Sequence, residues 1–85
     1  MVAFPLPNIT RRDAVNDALH SEKVQVERKQ FFFDLKQNAR GRFLRITEDV
    51  NGRRNAIVIP TAGLEDFRRI IGDMIEQDKR LGVAT

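Results

Sequence analysis

Residues 31–48 read FFFDLKQNARGRFLRITE and hold four of the chain's six phenylalanines, together with Lys36, Arg40, Arg42 and Arg45. Two runs of alternating polarity, 31–36 and 42–47, are joined by a short turn rich in Asn and Gly. Successive side chains of a strand point to opposite faces of a sheet. Phe31, Phe33 and Leu35 therefore share one face, and Phe32, Asp34 and Lys36 share the other. On the second run Leu44 and Ile46 lie opposite Phe43, Arg45 and Thr47. One face of this hairpin is apolar; the other mixes aromatic rings with cations, and that mixture needs a purpose.

Outward from this hairpin, the spacing predicts two more strands. Upstream, Val24 and Val26 face one way and Lys23, Gln25 and Glu27 the other, a strand over about 21–28. Downstream, Asn51-Gly52 is the strongest hairpin signal in the chain, because both residues tolerate positive φ. It leads into a strand with Ile57 and Ile59 on one face, ended by Pro60, which has no N–H to donate. With the central pair, the strands span about 21–28, 30–37, 41–48 and 54–60. From Gly63 the period becomes 3.6, with Leu64, Phe67, Ile71, Met74, Ile75 and Leu81 near one stripe, broadened by Ile70. Thr61 is the expected N-cap and Gly82 the expected C′ residue of a helix over about 63–81. The fold class is α+β, a four-stranded antiparallel sheet followed by one C-terminal helix. A helix laid on one sheet face would leave the Phe32/Phe43/Arg45 face uncovered. Gly72, in mid-helix, costs roughly 1 kcal/mol against Ala.

Residues 1–20 form a separate tail. Pro5 and Pro7 favour an extended start, and Thr10-Arg11-Arg12-Asp13 matches a capping box, so the tail is read either as a flexible or loosely docked segment or as carrying a short helix at about 10–19. The rest of the chain bounds the function. Its 85 residues make one domain with a thin core and, without cysteine, no disulfide or thiolate metal site to reinforce it. A second chain is one way to enlarge the core. The formal charge of +3 and pI near 10.0 are mildly basic. No run approaches the length of a membrane span and no signal-peptide pattern opens the chain, so a soluble cytoplasmic protein is expected, one able to associate with the nucleoid. His20, the single histidine, has no second ligand at metal spacing and reads as a surface or linker residue. No phosphate loop, nucleotide fingerprint or nucleophile elbow is present, and the Glu48/Asp49 and Glu65/Asp66 pairs are adjacent positions that do not converge. No enzyme, cofactor or metal is expected.

Cations interleaved with aromatics on an open sheet suit single-stranded nucleic acid, through phosphate neutralisation and base stacking. Lys36, Arg40, Arg42 and Arg45 cluster around the turn beside Phe43, Asn38 adds an amide, and Arg53 and Arg54 would extend the basic track. The same face would also serve a dimeric protein-interaction module, because exposed aromatics mark interfaces as well.

The stretch 31–48 closely resembles the PUR repeat of the purine-rich-element binding (Pur-alpha) family. That repeat runs from an aromatic strand through Asp-hydrophobic-Lys and x-Asn-x-Lys/Arg-Gly-Arg-Phe-Leu-Lys/Arg-Ile to an acidic residue. Ile57-Val58-Ile59, Glu65-Asp66-Phe67-Arg68 and Gly72-Asp73-Met74-Ile75-Glu76 are similar to it as well, so the likeness covers about 21–82. It implies a ββββα repeat, two copies of which intertwine as a Whirly-like, swapped-helix homodimer, with Phe67, Ile71, Met74 and Ile75 in the shared core. It further implies binding of single-stranded DNA and RNA, preferring G-rich purine repeats, in a regulatory role. By position, Lys36, Asn38 and Arg40 would contact bases and backbone, and Phe43 would stack on bases or wedge between them. Arg42 and Arg45 belong to the same run, with a lesser claim to direct contact, and Phe32 lies on the face of Phe43 and Arg45. The single-repeat format fits a bacterial-type member. Phe33 departs from the longer aliphatic usual at its place, a packing change on the apolar face.

Overall fold

A computed structural model of the chain describes residues 18–83. Four strands follow one another as β1 (His20–Val26), β2 (Lys29–Asn38), β3 (Gly41–Val50) and β4 (Arg53–Pro60). They form an antiparallel meander in that spatial order. A 3-10 turn, Thr61–Gly63, leads into helix α1 (Leu64–Leu81). Of the stretch 10–19, read as a flexible tail or a short helix, all but Ala18 and Leu19 lies outside the described residues. The Leu19 N–H donates to the Leu35 carbonyl at 2.6 Å, carrying the β1 ladder one residue back.

Each hairpin closes with two residues, because Val26 pairs with Lys29, Asn38 with Gly41, and Val50 with Arg53. Asn51 and Gly52 both have positive φ, 54° and 83°, the conformation that matches the twist of the flanking strands. The first turn falls at Glu27-Arg28, so β1 stops at Val26 and not at 28. Glu27 takes φ 56°, and Gln25 Nε2 donates to its carbonyl at 3.2 Å.

The pairings carry the faces across the sheet. Phe33, Ile46 and Ile57 stand side by side, as do Leu35, Leu44 and Ile59, and Val24 joins them beside Phe31. This is the apolar face read from alternation. It is not covered by the chain's own helix, contrary to the simplest expectation. Among the described residues α1 packs on the 3-10 turn before it and makes only marginal contact with the strands. Its apolar stripe stays open, with Phe67, Ile71, Met74 and Ile75 between 44% and 59% exposed. Ile59, 6% exposed, is the only buried hydrophobic residue among the described residues, and none of them is fully buried. The physical reason is connectivity. Only the Thr61–Gly63 turn separates the last residue of β4 from α1, and it directs the helix away from the sheet that precedes it.

Thr61 is not the helix N-cap. The cap is Gly63, without a side-chain bond, while Thr61 Oγ1 donates to the Arg42 carbonyl at 3.3 Å and ties the turn to β3. At the other end Gly82 has φ 81° and its N–H donates to the Lys79 carbonyl, a glycine stop. Glu65 and Asp66 in the first turn and Lys79 in the last complement the helix dipole. Arg68–Glu65 and Arg69–Asp73 pairs line its polar side.

Candidate nucleic-acid interface

The register brings Phe32, Asp34 and Lys36 of β2 onto one surface with Thr47, Arg45 and Phe43 of β3, each directly across from its partner. Val58, Ala56 and Arg54 of β4 continue that surface beyond Arg45, Thr47 and Asp49. Lys23 of β1 joins it beside Phe32. Lys23, Lys36, Arg45 and Arg54 outnumber the carboxylates of Asp34 and Asp49, so the surface is basic and is crossed by rings. Asp34 accepts a hydrogen bond from Ser21 Oγ at 2.6 Å, which fixes one of its oxygens toward β1.

The β2–β3 turn holds the next two residues. Asn38 Oδ1 accepts the Arg40 N–H at 2.8 Å. The side chain thus closes the turn with its oxygen, and its NH2 group supplies two donors outside that bond. Gly41, at φ 137°, completes a turn that another residue would enter only with strain. Arg40 projects from the tip and is exposed. Asn38, Arg40, Phe43, Val58 and Pro60 line an open cleft at this end of the sheet. A second, polar groove beside it is lined by Asp34, Lys36, Arg45, Thr47 and Arg54.

Arg42 stands apart from this set. Parity places it across from Gln37 on the apolar side of the sheet. There its Nε and Nη2 donate to Gln37 Oε1 at 3.3 and 3.0 Å. Phe32 is on the mixed face but is not a bare ring: Lys23 Nζ lies 5.8 Å and Arg54 Cζ 5.3 Å from its centroid. Arg54 also donates to Asp49 Oδ2 at 2.9 Å. The cluster of Phe32, Arg54 and Asp49 was not visible along the chain, though counting back from the Asn51-Gly52 turn puts Arg54 opposite Asp49. His20 lies at the β1 edge and contacts Glu22 at 2.8 Å. Among the described residues no three His, Asp or Glu side chains converge to hold a metal.

The chain is similar to known proteins along most of its length. A family profile described as PurA ssDNA and RNA-binding protein matches residues 4–81. The transcription factor Pur-alpha 1 of Arabidopsis thaliana is 42% identical over 59 residues, 69% of this chain and 20% of that protein. The transcriptional regulator protein Pur-beta-B of Xenopus laevis is 35% identical over 72 residues, 84% of this chain and 22% of its own length. The transcriptional activator protein Pur-alpha of Homo sapiens is 38% identical over 65 residues, 75% of this chain and 20% of its own. The chain thus spans about a fifth of the length of the curated relatives it matches.

Proposed function

Because the chain belongs to the PurA family of single-stranded-DNA- and RNA-binding proteins, we propose that it binds single-stranded nucleic acid on the face that carries Lys36, Phe43 and Arg45. The observation that supports this most is their adjacency: Lys36 lies directly across from Phe43, with Arg45 two residues further along the same face and Arg40 at the tip of the turn. Cations at that spacing neutralise a phosphate backbone while the half-buried Phe43 ring offers an unpaired base a surface to stack on. Asn38 contributes amide donors to a base edge or phosphate. Arg42 belongs to the assembly only through its backbone and its bond to Gln37. The preferred strand is purine-rich, and the role is regulatory rather than catalytic, carried out in the cytoplasm or on the nucleoid. No described helix is long and apolar enough to cross a membrane.

The binding unit is a homodimer. What supports this is that, among the described residues, no element covers the apolar sheet face or the stripe of α1, which is exposed over Phe67, Ile71, Met74 and Ile75. Exchanging helices would cover both at once, and each large apolar side chain so buried contributes about 1.5–3 kcal/mol. Filter binding of a labelled single strand to wild type and Phe43→Ala tests the interface. The variant should bind more weakly and remain a folded dimer. Undiminished binding would remove Phe43 from the site. A protein-docking face would show itself by negligible retention of any oligonucleotide.

A further inference from the structure

Phe32 and Arg54 meet across an intervening strand. Phe32 is on β2, Arg54 on β4, and between them on β3 stands Thr47, directly across from both Phe32 and Ala56. Thr47 and Ala56 are small, so the ring and the guanidinium lean toward each other over them, and Thr47 is left only 8% exposed. The guanidinium carbon lies 5.3 Å from the ring centroid, within cation–π range. Its position is held from behind. Asp49 Oδ2 accepts from Arg54 Nε at 2.9 Å, and Asp49 Oδ1 accepts the Gly52 N–H at 3.0 Å, fixing the carboxylate to the β3–β4 turn. The Asp49 side chain is 18% exposed and that of Arg54 is 64% exposed. With Lys23 Nζ 5.8 Å from it as well, the Phe32 ring carries two cations, and Arg54 is the well-exposed member of the cluster.

We propose that Arg54, braced on Phe32 and held by Asp49, is a second stacking platform for an unpaired base. The assignment rests on the single-strand-binding function proposed above and extends it to a site for which Phe43 is only one end. A guanidinium is planar and weakly hydrated, and bases stack on it as they do on aromatic rings. Here the guanidinium carbon already lies 5.3 Å from the Phe32 centroid, so a base laid on the guanidinium adds a third π group to the cluster. Phe32 is level with Thr47, four residues along β3 from Phe43, or about 13 Å at a rise of about 3.3 Å per residue. The polar groove between the two platforms is lined by Lys36, Arg45 and Arg54 and by one carboxylate, Asp34, so its three cations suit the phosphates that connect them. Because Asp49 already offsets its charge, Arg54 acts through its flat face more than through phosphate neutralisation.

Arg54→Lys separates these roles, since it keeps the charge beside Asp49 and removes the plane. Fluorescence anisotropy of the full chain would use a purine single strand of about eight nucleotides and one of about three, a span bracketing short single-strand sites. Arg54→Lys should weaken the longer strand by about five- to tenfold. It should leave the salt dependence and the affinity for the shorter strand unchanged, with the melting temperature as the check on folding. Phe32→Leu, which removes the brace, should reproduce the loss. Wild-type affinity for the longer strand in Arg54→Lys overturns the platform. Failure of wild type to bind either strand overturns the binding function first, and the platform with it. Equal loss on both strands would make Arg54 part of the Phe43 site and contradict a separate platform.

Discussion

Phe43 and Arg42 are neighbours in sequence and lie on opposite faces of β3, and this parity separates a residue of the proposed binding face from one on the apolar side. Phe43 is level with Lys36 on the basic face, whereas Arg42 is level with Gln37 and bonded to it. Loss of one stacking ring costs about 1–3 kcal/mol per base. Phe43→Ala should therefore weaken single-strand binding at least about fivefold, whereas Arg42→Ala should change it by less than about twofold. Competition titration of both variants against one labelled strand checks the pair. Equal losses would mean that Arg42 reaches the ligand despite its parity. Asn38 differs again: its oxygen closes the turn through the Arg40 N–H, so Asn38→Ala should lower both affinity and melting temperature, whereas Lys36→Ala should lower affinity alone.

At the scale of elements, α1 carries a prediction of its own. Gly72 lies on the charged side of the helix among Glu65, Arg69, Asp73 and Glu76, and a Cβ there would meet nothing within 4 Å. Gly72→Ala should thus stabilise the protein by roughly 1 kcal/mol, read as a higher denaturation midpoint; destabilisation would show that another surface approaches that side. The order of elements was legible in the sequence because alternation, Asn51-Gly52, Pro60 and the change of period each mark a physical boundary. Thr61 misled because a hydroxyl ahead of a helix can also bond elsewhere, and here it reaches the Arg42 carbonyl. The Phe32–Arg54 contact was hidden for a different reason. It joins residues far apart in sequence and depends on two registers at once, neither of which is a local property. The route of α1 away from its own sheet is likewise set by the short Thr61–Gly63 turn, not by the pattern of the helix, and an amphipathic stripe does not say whose sheet it covers.

For the whole molecule, the open sheet face and the open helix stripe are two halves of one unmet demand for burial. A homodimer predicts a solution mass of twice the 9.8 kDa chain, and replacing Ile71 and Met74 by Asp should abolish both the dimer and cooperative unfolding. A stable, folded monomer at micromolar concentration would contradict the shared core. Binding should fall log-linearly with salt, since phosphate neutralisation releases counterions. The most direct measurement is an anisotropy titration of a G-rich single strand, a pyrimidine strand and a duplex of equal length, with wild type and with Lys36→Ala/Arg40→Ala. Tight, purine-preferring binding that collapses in the double variant is the predicted result. Equal, weak binding to all three, unchanged in the variant, would contradict a single-strand site at the β2–β3 turn.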